Sequence, residues 1–187
     1  MRPIQTDRRL ADGGVINILK AYQSATARER FDGARWYSMA RAQARELHPE
    51  GAAIIAALSP RKDWETNLKA AGELVHKGKT NLVVGANKIK AKRIIDGESP
   101  DDVLKGPKVR AFWKAIEGQQ HSAVVDRHAY GVYVAGKATR DRLRVLERQG
   151  VYDHIAHAYK RAAHILGVNV TALQCTTWIV WKRSVKA

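Results

Sequence analysis

Two side chains in this sequence, a lysine and a carboxylate, are spaced so that they could face one cleft and do chemistry there. Lys108 opens the segment KVRAFWKAI, and Asp126 follows the short apolar run Ala123-Val124-Val125, 18 positions later. Lys105 and Arg110 set two further cations within three positions of Lys108. A carboxylate held still offers preorganised negative charge to a cation forming beside it. The spacing accommodates about two and a half helical turns and a reversal, enough to return Asp126 towards the start of the Lys108 helix. Backbone N–H groups freed at that helix start make a phosphate cradle. Each residue also has a plainer reading. Asp126 fits as the N-cap of a helix over 129–134, and Lys108 as a solvated or phosphate-touching side chain.

The elements that must position these groups are helical throughout. Ala27 to Leu47 sets Trp36, Met39, Ala40 and Leu47 near one face and stops at His48-Pro49. Ala52 to Leu58 is an apolar helix ending at Ser59-Pro60. Asp63 then caps a helix that turns Leu68, Ala71, Leu74 and Val75 inward and closes at Gly78. Asn87 to Ile95 is a short basic helix. Ser99-Pro100-Asp101-Asp102 reads as a helix start with Ser as cap, and Lys105-Gly106-Pro107 as a hairpin leading into a helix over 108–116. Segments 140–149, 152–166 and 171–181 complete the set. The runs near 82–84 and 123–125 are too short to build a sheet. The expectation is an all-α chain of nine or ten helices in one compact unit over 1–187, without repeats or linkers.

Charge is the most informative total. Of 187 residues, 33 are Lys or Arg and 18 Asp or Glu, a net +15 with a pI near 10.2. Such an excess repels itself in a compact chain and is most simply explained by a polyanionic partner, with double-stranded DNA first. An anionic membrane is disfavoured because the basic residues are dispersed along the chain. No apolar run nears the roughly 20 residues that cross a bilayer, and MRPIQTDRRLADGG does not read as a signal peptide. Cys175 is the single cysteine, which excludes an intramolecular disulfide and points to a reducing, cytoplasmic setting. His154 and His157 lie three apart without a second ligand pair, so no metal is expected. Neither a P-loop nor a dinucleotide fingerprint appears, and no cofactor is expected.

In this order, "AIIAALSPRKDWETNLKAAGELV" and "GPKVRAFWKAIEGQQHSAVVDRHA" resemble the helix-hairpin-helix DNA glycosylase superfamily, of which endonuclease III is the familiar member. The matched core runs from about Ala52 to Val134. The resemblance implies two helical lobes with a cleft between them, 52–134 holding the hairpin and 1–51 with 135–187 forming the second lobe. Asp126 matches the family's catalytic carboxylate, which stabilises the cationic sugar as a base leaves. Lys108 matches the lysine that attacks C1′ and forms a Schiff base, a role that needs a neutral amine, which partial desolvation and neighbouring cations such as Lys105 and Arg110 would favour. Arg61 falls where the family inserts a side chain into the duplex, filling the gap left by a flipped nucleotide. Lys62, Trp64, Lys105, Gly106, Arg110, Arg127 and His128 are the accompanying DNA contacts, with His128 bracing its segment.

This chain departs from the pattern in two places. The hairpin reads Leu104-Lys105-Gly106-Pro107, with one glycine where the family has two and a proline that removes a donor. One cysteine leaves no iron–sulfur cluster. The shorter pattern is similar to small phage-type relatives, some of which modify bases rather than remove them; such a protein would work in a bacterial host cell as a monomer. Three readings follow. The first is a glycosylase acting on a flipped base. The second is a hypermodification enzyme joining a small amine or amino acid to an activated pyrimidine. The third is a non-catalytic DNA-binding module.

Overall fold

In a computed structural model of the chain, residues 8–83, 85–136, 139, 144–147 and 150–185 are described. The fold is all-α. Among the described residues there is no strand, and ten α-helices follow in order: α1 (Arg8–Gln23), α2 (Ala27–Leu47), α3 (Gly51–Leu58), α4 (Trp64–Lys77), α5 (Ala86–Ile95), α6 (Pro100–Val103), α7 (Pro107–Ile116), α8 (Arg127–Val134), α9 (Val151–Leu166) and α10 (Val170–Ser184). Of the helix expected over 140–149, only Arg144–Glu147 is described, and it is a single 3-10 turn. The rest of that expectation lies outside the described residues, as does the N-terminal segment ahead of Arg8.

Packing divides the chain into two compact units, one of residues 1–36 with 120–187 and one of residues 37–119. The sequence reading grouped 52–134 together. In the structure Asp126 instead belongs with the terminal helices, and Lys108 with the middle of the chain.

The middle unit is built on α3, whose eight residues are all buried. Ile54, Ile55 and Leu58 are fully inaccessible, and burying each contributes roughly 1.5–3 kcal/mol. Helices α4, α5 and α7 pack around it. The N-cap read from sequence is present: Asp63 accepts from the Thr66 backbone N–H at 2.9 Å. Gly78 ends α4 with φ 67°, the left-handed conformation a glycine adopts without steric cost. Asn67, buried in α4, donates to the Ile55 carbonyl at 2.9 Å and ties the two helices together beneath their connecting turn.

The other unit gathers α1, α8, α9 and α10 around Ile18, Tyr130, Ile155, Tyr159 and Leu173. Helix α1 was not foreseen. Its Val15 and Ile18 enter the core, and Gly14 lies so close beneath Tyr133 that a Cβ would stand 1.9 Å from the ring. Helix α2 corrects another expectation. Met39 faces solvent at 58% exposure, and the buried line is Gly33, Tyr37, Ala40 and Ala44. Apart from Tyr37 that line is small, because backbones approach there. A Cβ on Gly33 would meet Thr176 Oγ1 at 2.3 Å, and one on Gly51 would meet the Ala44 carbonyl at 1.9 Å.

Candidate functional site

Asp126 is placed by both its neighbours in sequence and two tyrosines from another helix. Ala123, Val124 and Val125 are buried and deliver it to the start of α8, the Asp126 N–H turning back onto the Val124 carbonyl at 3.1 Å. One carboxylate oxygen, Oδ1, accepts from the backbone N–H groups of His128 at 2.9 Å and Ala129 at 2.8 Å. Oδ2 accepts no hydrogen bond from the described residues. The Tyr152 hydroxyl accepts from the Val125 N–H at 3.2 Å and donates to the Ala123 carbonyl at 3.1 Å. On the far side, the Tyr159 hydroxyl donates to the Ala129 carbonyl at 3.2 Å. The carboxylate is thus half-buried, with one oxygen fixed and the other open, on a backbone pinned before and after it.

The surroundings are largely shut off from water. Burial pushes the Tyr152 phenol up to about 12 against the pull of its Val125 N–H bond, and the Asp126 charge adds to the rise. Tyr159 and Cys175, both fully buried, are driven upward by the same loss of solvent, again with a contribution from Asp126. Cys175 is therefore an inert thiol rather than a nucleophile.

His128 extends the site. Its ring meets Trp178 edge-on at 5.9 Å, and its Nε2 accepts from the exposed Arg127 at 3.1 Å. Lys182, one turn along α10, holds its ammonium 4.3 Å from the centre of the Trp178 ring. The sequence reading did not single out Lys182. An aromatic and a lysine at i, i+4 on a terminal helix was the signal available. Trp181 packs instead over Gly131, where a Cβ would stand 2.7 Å from the indole.

Lys108 occupies a different setting, at the second position of α7. Gly106 precedes the helix with φ −76°, makes no side-chain cap, and has open space where a Cβ would be. Pro107 removes one donor, and the Arg110 N–H closes the turn onto the Gly106 carbonyl at 3.0 Å. The activation foreseen for Lys108 is not present: its side chain is exposed, and Arg110 is ion-paired with Asp101. Lys105 donates to the Asp101 carbonyl at 3.3 Å. The Ser99 side chain makes no cap bond on α6, contrary to the sequence reading.

The third group of predicted contacts sits on the turn between α3 and α4. Arg61 adopts φ 64°, a left-handed conformation costing a non-glycine residue about 1–2 kcal/mol. Lys62 donates its backbone N–H to the Ser59 carbonyl at 3.1 Å, and both basic side chains are exposed. Trp64 is half-buried, its indole N–H donating to Gln43 at 3.0 Å. Among the described residues no three His, Cys, Asp or Glu come together to hold a metal ion, and His154 meets the Tyr133 hydroxyl at 3.1 Å. No single helix among them is long and apolar enough to cross a membrane.

With this geometry in hand, comparison with known proteins places the chain in DUF7178, a family of unknown function whose model matches residues 1–185. The chain belongs to that family. No curated protein and no solved structure matches it.

Proposed function

We propose that the protein is an enzyme acting on a base flipped out of duplex DNA, with Asp126 as the catalytic carboxylate. With this goes the two-lobed, cleft-bearing scaffold that the glycosylase resemblance implies. The observation that carries the reading is Asp126 itself: a half-buried carboxylate, one oxygen locked by two backbone donors and the other open, in a chain of net charge +15. A surface that only held phosphates would gain nothing from that negative charge. A site where a sugar or base becomes cationic gains a fixed counter-charge that needs no reorganisation.

The exposure of Lys108 bears on which reaction follows. A Schiff-base nucleophile works best as a desolvated amine, and this one is in water. That favours base removal by water, or its counterpart in which an external amine or amino acid is joined to an activated pyrimidine. Lys108, Lys105, Arg61, Lys62 and Arg127 then serve as phosphate and groove contacts, and the DNA duplex is the partner.

The test is mass spectrometry of nucleosides and released bases after incubating the protein with duplex DNA carrying oxidised or hydroxymethylated pyrimidines, with and without candidate amines. Wild type is expected to change the nucleoside profile, and Asp126→Asn to bind the same DNA without changing it. Equal activity of the two proteins would remove the catalytic reading and leave a DNA-binding module.

A further inference from the structure

The most one-sided stretch of charge in the chain is not among the contacts assigned above. From His76 to Ile95 there is no Asp or Glu, and there are six lysines and arginines: Lys77, Lys79, Lys88, Lys90, Lys92 and Arg93. The fold does not disperse them. The buried Thr80 fixes the turn after α4, its hydroxyl donating to Glu73 at 2.7 Å and accepting from the Leu82 N–H at 3.1 Å. Lys88 reaches back from the first turn of α5 and donates to the Thr80 carbonyl at 3.1 Å, so its ammonium lies beside the residue that follows Lys79. Lys92 stands one helical turn further along the same side of α5. Lys77, Lys79 and Lys92 are exposed, and among the described residues only Arg93 of the six pairs with a carboxylate, that of Glu98.

Crowding like charges on this turn and on α5 costs self-repulsion that the single Arg93–Glu98 pair relieves only in part. The chemistry of the patch narrows what would offset it. Five of the six cations are lysines, compact point charges suited to phosphate oxygens rather than to the bidentate reading of base edges. Among the described residues of the stretch, the one large exposed apolar side chain is Ile89, 62% exposed, which is too little for a helix that lies in a bilayer surface.

We infer that the turn after α4 and the outer face of α5 form a sequence-independent phosphate-backbone contact for duplex DNA, holding the substrate through residues distinct from those at Asp126 and on the hairpin. The inference rests on the DNA reading above. It is tested with the triple variant Lys77→Gln/Lys79→Gln/Lys92→Gln, which leaves the structural Lys88 in place, by measuring anisotropy of labelled duplexes of two unrelated sequences across a salt series. The log–log salt slope is expected to become less steep by up to about 2.7, and affinity at low salt to fall at least ~10-fold, equally for both sequences. The variant should melt at the same temperature as wild type or higher, because repulsion has been relieved. An unchanged slope in a folded variant would overturn the inference while leaving wild-type DNA binding, and so the functional reading, intact. Wild type that ignores DNA but co-floats with phosphatidylglycerol vesicles would overturn both.

Discussion

Helices α7 and α8 both begin at residues picked out for chemistry, and they begin in opposite ways. At α8 the carboxylate of Asp126 satisfies two free N–H groups itself, buried valines lead into it, and two tyrosine hydroxyls pin the backbone on either side. At α7 the cap is a glycine without a side chain, the first residue is a proline, and Lys108 extends into water. The first end holds a charge still at a cost in freedom already met on folding. The second leaves donors and a cation available to whatever approaches. A fixed charge suits a transition state, and an open helix end suits phosphate.

The sharpest way to break that contrast is Asp126→Asn. Asparagine caps a helix nearly as well as aspartate, so the fold should hold, whereas turnover on modified duplex DNA should fall about 10²-fold or more. Rates from nucleoside mass spectrometry, set beside urea denaturation of the same protein, separate the two effects. Rigidity around α8 is probed next. Gly131→Ala places a Cβ 2.7 Å from the Trp181 indole and should cost roughly 1–3 kcal/mol of unfolding free energy.

Tyr152→Phe leaves the Val125 N–H without its partner, a loss of about 1–2 kcal/mol in the same denaturation experiment. The phenol adds a pH signature. Its folded value, about 12, lies above the ordinary 10.0, so its contribution is complete below pH 10 and disappears as pH rises through about 12. Wild type should lose stability across that interval more steeply than the phenylalanine variant.

The α7 end should respond more mildly. Lys108→Gln is expected to weaken duplex binding a few-fold and flatten the salt slope by about 0.9, with turnover at saturating DNA unchanged. Borohydride should trap no covalent adduct, and a trapped adduct lost in Lys108→Gln would show that the open lysine reacts after all. The smallest effect belongs to a third helix start, that of α4. Hydrogen bonds from the Thr66 N–H and hydroxyl hold the exposed Asp63 carboxyl below its ordinary 3.8. Its contribution is present above pH 3.8 and is lost as pH falls through the lower folded value. Asp63→Asn should flatten that part of an acid titration followed by circular dichroism.

What could be read from sequence was what local chemistry decides. The Asp63 cap, the Gly78 stop, the apolar α3 ending at Ser59-Pro60 and the helix after Pro107 all depend on residues within a turn of one another. What could not be read depends on distant partners. No helix was read at the N-terminus, yet α1 forms there, and Gly14 stands in it because Tyr133 lies on it. Met39 looked like a core residue, but the close backbone approach at Gly33 and Gly51 turns α2 onto its small side. At the candidate site, Asp126 and its capping role were visible because cap and helix are adjacent. Tyr152 and Tyr159, nearly thirty residues away, carry no local mark of the segment they hold. The quenching of Arg110 by Asp101 was equally invisible, since it needs the turn between α6 and α7 to be closed.

The burial of Cys175 has a practical consequence. A lone thiol sealed inside α10, with its ionisation pushed far upward, cannot be alkylated or exchanged while the helices around it stay closed. Its labelling rate in native buffer is therefore a clock for spontaneous opening of the unit that holds Asp126, readable on the unmodified chain without an attached probe.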